Sequence, residues 1–164
     1  MTQTERVGVI LIALVLIVGA AISIGSQVRR RAGPNMTVYD SGCLANVKQL
    51  AVAIAIYREE NNDVLPPAKW MTAIMPVIRS RDMLECPLYR RHRGGAYAMN
   101  AALVGKPGWS FPDESKVTLL FEFDGPGPNT VARVEERAKR RHQGSSPIAR
   151  LDAHVKFLKA DVEP

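Results

Sequence analysis

Residues 7–28 carry no charge and are predominantly apolar. As a helix they reach about 33 Å at ~1.5 Å per residue, enough for a hydrocarbon core of about 30 Å. The segment is apolar on every side, which disfavours an amphipathic helix of a soluble core. The pattern predicts a transmembrane helix over residues 7–28, preceded by a short N-terminal tail over residues 1–6.

The alternative for this segment is a cleavable signal peptide, whose apolar core usually has about 7–15 residues before a small-x-small cleavage site. Gly19, Ala20 and Ala21 resemble such a site, but Ile22 and Ile24 continue the apolar run beyond it. The pattern therefore favours an uncleaved anchor.

The next pattern predicts a helix over residues 40–61, with Asp40 or Ser41 as the N-cap. Pro66 and Pro67 prevent its continuation. Its apolar residues recur at helical spacing, which indicates one buried face; they are Leu44, Val47, Leu50, Ala51, Ile54 and Tyr57.

Shorter patterns follow. A short helix is predicted over residues 68–75, a strand over 117–123 and a short exposed helix over 131–141. Two final strands, 148–151 and 154–158, are joined at Asp152 and Ala153. The order predicts an α+β domain in which a helix packs on a small antiparallel sheet.

The net charge is +6. Arg29, Arg30 and Arg31 lie directly after the apolar segment, in a basic linker over residues 29–39. There we expect them to contact anionic lipid headgroups, at about 1 kcal/mol each. By the positive-inside rule these arginines favour a cytoplasmic C-terminal domain.

Cys43 and Cys86 are the only cysteines of the chain. In an oxidising compartment they would pair, and in the cytosol they would be two buried thiols. Neither belongs to a CxxC motif, which disfavours a metal knuckle or a redox motif. A disulfide would oppose the cytoplasmic orientation.

Seven short motifs occur in order between residues 43 and 158. Together they resemble prepilin-like and pseudopilin-like proteins with a C-terminal H-x9-D-G element. They are C-x-x-N-V-K-Q-L at 43–50, Leu65-Pro66, Trp70 followed by Met75-Pro76, Cys86-Pro87, Tyr97-x-x-Asn100, Leu119-Leu120-Phe121-Glu122, and Arg141-His142 followed after nine residues by D-A-H-V-K-F-L at 152–158.

The resemblance implies a pilin-like, extracytoplasmic domain over residues 40–164, with Cys43 bonded to Cys86. It places the protein in a bacterial inner membrane, with a single span. Two departures stand out: the start lacks the basic leader and cleavage site of a prepilin, and Ala153 replaces the glycine of the motif. If this position needs a positive φ, alanine costs about 1 kcal/mol or changes the turn.

His142, Asp152 and His154 are the only cluster of metal-ligand types, and they are candidates for a zinc or calcium site. The favoured alternative is that they tie a turn together by hydrogen bonds. Glu122 and Asp124 lie on the same face of a predicted strand, as paired carboxylates for acid–base chemistry would. The alternative is that these polar residues occur there because the strand ends and runs into a turn.

Two basic patches, residues 90–93 and 137–142, raise the possibility of nucleic-acid binding. They lack the interleaved aromatics that such surfaces usually carry, so a solvated or lipid-facing surface is favoured. The serines lie in no Gly-x-Ser-x-Gly motif. These patterns predict neither an enzyme nor a cofactor.

We therefore expect a non-enzymatic, single-span accessory subunit of a larger membrane assembly of respiratory, photosynthetic or secretion type. Its partners would be other membrane-protein subunits and lipids, not nucleic acid. Small residues in the span would allow close helix packing: Gly8, Ala13, Gly19 and Ala20. The alternatives are a minor pseudopilin, or a metal- or ligand-binding domain centred on His142, Asp152 and His154.

Overall fold

The computed structural model describes residues 38–89, 96–125, 127–138 and 141–162, and within these ranges helix α1, Val38–Glu60, is the longest element. Its buried residues Cys43, Val47, Leu50 and Ile54 follow the three- and four-residue spacing of a helix face. The helix ends before Asn62 and Asp63, which both have a positive φ. The helix predicted over residues 40–61 is confirmed.

Helix α2, Trp70–Ile74, is a single turn that continues into a 3-10 turn, Met75–Val77, at Pro76. The Trp70 side chain is completely buried, and its Nε1–H donates to the carbonyl of Thr130 at 2.9 Å. This bond joins the α2 region to the segment just before Val131, so Trp70 has a structural role.

The described residues form five strands: β1 Tyr97–Asn100, β2 Thr118–Glu122, β3 Val131–Ala132, β4 Ser145–Arg150 and β5 Val155–Lys159. These strands make one sheet in the order β3-β1-β2-β4-β5. The pairs β1–β2, β2–β4 and β4–β5 are antiparallel, whereas β3 runs parallel to β1.

The predicted fold, a transmembrane helix followed by a pilin-like domain with a small antiparallel sheet, is wrong. The domain is α+β with a mixed five-stranded sheet. Within the residues that the structure describes, neither α-helix is long and apolar enough to cross a membrane. The segment assigned to the membrane, residues 7–28, lies outside those residues.

The helix predicted over residues 131–141 is also wrong, because this segment begins with strand β3. Val131 and Ala132 pair with β1, and Val134–Glu136 is a 3-10 turn. Glu136 accepts a hydrogen bond at 2.8 Å from the backbone N–H of Arg133, so its side chain caps a turn. Long-range pairing with β1 thus overrides the local helix signal.

The terminal hairpin is confirmed, with β4 and β5 in antiparallel register across the turn at Asp152 and Ala153. Ala153 has φ 63°, the left-handed conformation that the motif's glycine would adopt without strain. Its carbonyl accepts a 2.7 Å hydrogen bond from Lys48 Nζ, which ties the turn to α1.

Both faces of the sheet are covered by apolar side chains. Helix α1 packs on one face, against Tyr97, Met99, Leu120 and Ala149. The opposite face carries a smaller cluster, formed by Ala98, Phe121, Ile148 and Leu158 of the other four strands. Ala132 of β3 and Val134 of the 3-10 turn after it complete this cluster. Polar groups at the end of β2 on the α1 face are therefore enclosed.

Candidate functional site

A buried polar cluster, the His142 cluster, consists of Asp40, Glu122 and His142. Asp40 comes from the first turn of α1 and Glu122 from the end of β2. Asp40 Oδ1 lies 2.5 Å from His142 Nδ1, and Glu122 Oε1 lies 3.0 Å from Nε2. The imidazole thus bridges the helix and the sheet through two carboxylates.

An unusual backbone turn directs the imidazole inward. His142, Gln143 and Gly144 have φ values of 45°, 57° and 84°, all in the left-handed region. For the two non-glycine residues this conformation costs roughly 1–2 kcal/mol each. Backbone hydrogen bonds from Gly144 and Ser145 to the carbonyl of Arg141 close the turn. Such a conformation persists only where the surrounding contacts determine it.

Glu122 lies opposite Tyr97 in the β1–β2 register, on the face that α1 covers. The carboxylate is completely buried, and within the described residues its Oε2 accepts no hydrogen bond. Burial raises the pKa of the Tyr97 phenol, and the charge of Glu122 raises it further. Tyr97 is therefore neutral at any physiological pH.

Arg141 places a cation at the edge of the His142 cluster. Its guanidinium binds the carboxylate of Asp124 and also donates to the carbonyl of Phe123 at 3.2 Å. Its Nη1 lies 3.9 Å from Glu122 Oε1. Glu122 and Asp124, which the sequence suggested as an acid–base pair, instead lie on either side of this arginine.

The disulfide between Cys43 and Cys86, which the resemblance implied, is confirmed. Both cysteines are buried, and Cys86 Sγ lies 3.8 Å from His142 Nε2. The ring of Phe157 on β5 packs on the imidazole, with the centroids 5.4 Å apart. The disulfide therefore ties the start of α1 to the segment at Cys86, and the His142 cluster ties the same end of α1 to the sheet.

Two opposing effects set the protonation of His142. Burial by itself lowers its pKa, but the hydrogen bonds and charges of Glu122 and then Asp40 outweigh burial and raise the pKa above the usual value. The two carboxylates therefore favour the imidazolium form of the ring over the neutral form. The His142 side chain is only 1% exposed, and its two hydrogen bonds link α1 to the sheet.

We expect the stabilising effect of His142 to fade as the pH rises. A histidine with a raised folded pKa contributes fully below its unfolded pKa of about 6.5, and the contribution is lost through the folded pKa. Urea unfolding between pH 6 and pH 9 should show the difference between wild type and His142→Gln shrinking with pH. A difference that stays constant or grows would contradict the imidazolium assignment.

The structure separates the residues proposed as metal ligands. His142 is buried, whereas Asp152 and His154 are exposed. Asp152 Oδ1 accepts a hydrogen bond at 2.9 Å from the backbone N–H of His154 and so closes the hairpin turn. Among the described residues, the single group of candidate ligands with atoms within 4.8 Å of one another is Cys43, Cys86, Glu122 and His142.

The described arginines of the basic patch at residues 137–142 are not on the surface, and residues 139 and 140 lie outside the described part of the chain. Arg137 and Arg141 are both buried, and Arg137 Nη2 donates to the carbonyl of Val162 at 2.6 Å. The other predicted contact residues lie outside the described part of the chain: Gly8, Ala13, Gly19, Ala20, Arg29, Arg30, Arg31 and residues 90–93.

Sequence reasoning missed two members of the His142 cluster. The local patterns indicate Asp40 as a helix cap, and Glu122 as the end of a motif strand and a partner of Asp124. Asp40 and His142 are separated by 102 positions, so no local spacing relates them. The one available signal was that Glu122 ends an otherwise apolar strand, where a charge must find a partner if it is buried.

A groove of about 430 Å³ is lined by residues of α1 and of the segment from Val77 to Met83. Val52 and Ile56 lie in its wall, 40% and 37% exposed, and Val77 and Ile78 form the opposite side. Lys48 and Arg79 are the charged residues of its lining, and no carboxylate among the described residues lines it. The groove is therefore apolar with a positive charge.

No family model, curated protein or solved structure matches this chain. The resemblance to prepilin-like proteins thus stays a prediction, resting on the motifs alone.

Proposed function

We propose that this domain is a non-enzymatic accessory module that joins a larger assembly by binding an apolar, acidic segment of a partner protein. The observation that carries this proposal is the groove beside α1. It exposes Val52 and Ile56 on α1, whereas Asp40, Glu122 and His142 are buried and paired with one another.

The charge of the groove selects the partner. Its lining has two cations, Lys48 and Arg79, and no anion among the described residues. An apolar segment that carries Asp or Glu at its ends would bury its side chains on Val52 and Ile56 and place its carboxylates near these cations. Complementary charges of this kind favour the correct partner and speed the encounter.

We place the module in an oxidising compartment outside the cytoplasm. The support is the disulfide between Cys43 and Cys86, because such bonds persist in oxidising compartments and are rare in the cytosol. In this proposal the disulfide holds α1, which carries the groove, to the segment at Cys86, and the His142 cluster holds it to the sheet.

A test compares acidic substitutions in the groove with one outside it. Val52→Glu and Ile56→Glu should each reduce co-purification of the native assembly roughly tenfold or more, since a charge then faces an apolar contact and repels the partner's carboxylates. Val162→Glu is the matched control, because Val162 is a valine of similar exposure, 45%, and does not line the groove.

The occupant is identified by a photoreactive residue at position 52, with position 162 as the reference. A cross-link to an apolar segment of another protein that contains carboxylates, formed from position 52 only, supports the proposal. Cross-links to a second copy of this chain or to lipid contradict it. Unchanged co-purification of all three glutamate variants contradicts it as well.

A further inference from the structure

Four buried side chains, Cys43, Cys86, Glu122 and His142, place one ligand atom each within 4.8 Å of one another. We propose that these four residues bind a zinc ion when the disulfide is reduced. Two thiolates, an imidazole and a carboxylate are all ligands of zinc, which usually takes four of them. The proposal does not depend on the groove.

The distances suit a tetrahedral ion with modest movement. With zinc–sulfur bonds of ~2.3 Å and zinc–nitrogen or zinc–oxygen bonds of ~2.0 Å, neighbouring ligand atoms are about 3.3–3.8 Å apart. His142 Nε2 already lies 3.8 Å from Cys86 Sγ and 3.0 Å from Glu122 Oε1. Breaking the S–S bond allows the two sulfurs to separate to the same range.

Asp40 supplies the outer contact that zinc-binding histidines commonly have. It lies 2.5 Å from His142 Nδ1, on the opposite side of the ring from Nε2. A carboxylate in this position holds the Nδ1–H tautomer and leaves Nε2 to bind the metal. Glu122 also has a free acceptor, because its buried Oε2 accepts no hydrogen bond within the described residues.

The charges at the site change with the oxidation state of the sulfurs. In the disulfide form the sulfurs are neutral and bonded to each other, so they offer no thiolate. In the reduced form zinc displaces one proton from each thiol and the proton on His142 Nε2, and two thiolates join the carboxylates of Asp40 and Glu122. Arg141 is the opposing cation, and it is neutralised by Asp124 at the edge of the cluster.

In the experiment a phosphine reduces the disulfide, and water supplies the hydrogens and the oxygen. The S–S bond breaks, two S–H bonds form with hydrogens from water, and the phosphine leaves as its oxide. The protein thus has two alternative links between Cys43 in α1 and the segment at Cys86: a covalent bond, or a shared metal ion. The second is available to a newly made chain, whose cysteines are thiols before they are oxidised.

Cobalt(II) is the probe for this site, added to the full chain kept anaerobic with a phosphine. The reduced chain should take up about one ion and show the thiolate charge-transfer band and the intense visible bands of tetrahedral cobalt. Zinc should displace the cobalt and remove these bands. The oxidised chain should show none of them.

Conservative variants separate a four-ligand site from binding by thiols alone. Asp40→Asn and Glu122→Gln, which keep the shape of each side chain, should each weaken zinc binding about 10–100-fold in competition with a chelating dye. His154→Ala, at an exposed histidine, should leave the affinity unchanged. The inference is overturned if the reduced chain binds no cobalt, or if Asp40→Asn and Glu122→Gln bind zinc as tightly as wild type.

Discussion

Replacing His142 by alanine is expected to lower the free energy of unfolding by about 3–5 kcal/mol. The substitution leaves the carboxylates of Asp40 and Glu122 buried near each other without the imidazolium between them. Removing one partner of a buried ionic group is far more costly than the group's net contribution, because the remaining charge cannot be solvated. A cavity beside Phe157 adds to the loss.

The measurement is urea unfolding of the oxidised chain at pH 6, where His142 contributes most. His154→Ala is the matched control. It removes the same side chain from an exposed position and should change the free energy of unfolding by less than about 0.5 kcal/mol. If the two alanine variants are equally stable, the His142 cluster does not hold α1 to the sheet.

Removing both cysteines, as Cys43→Ala with Cys86→Ala, should lower the free energy of unfolding by about 4 kcal/mol. The bond joins residues 43 positions apart, and closing a loop of this length restricts the unfolded chain by that amount. A domain of this size has only about 5–15 kcal/mol in total, so the variant should be close to its stability limit.

The experiment is done with a metal chelator present, since zinc would otherwise link the reduced wild type. Under these conditions the reduced wild type and the single variant Cys43→Ala should lose about the same stability as the double variant, because the bond is absent in all three. Wild-type stability in the single variant would show that the bond contributes little to the oxidised domain.

Some parts of the fold were open to prediction because their signals are local. The helical spacing of Cys43, Val47, Leu50 and Ile54 predicts the buried face of α1. The hairpin of β4 and β5 follows from short apolar runs on both sides of one turn. The strand at Thr118–Glu122 is also predicted by its local sequence, because it is rich in large apolar residues.

Other parts had no local signal. The two-residue strand β3 is too short for any periodicity, and its parallel pairing with β1 makes the sheet mixed. Strand β1 has four residues, three of them fully buried, so it shows no alternation of polar and apolar positions. The pilin-like expectation failed here, because motif order does not specify which strands are neighbours.

The sequence by itself determined the elements whose residues bury one face locally, and it singled out His142 and the two cysteines as unusual. Only the tertiary structure decided that Asp40, Glu122 and His142 meet, and that the disulfide lies against them. The reason is physical: a buried charge is stable only beside its counter-charge, and that partner is chosen by how helix and sheet pack. The spacing of positions 40, 122 and 142 along the chain does not show that these residues meet.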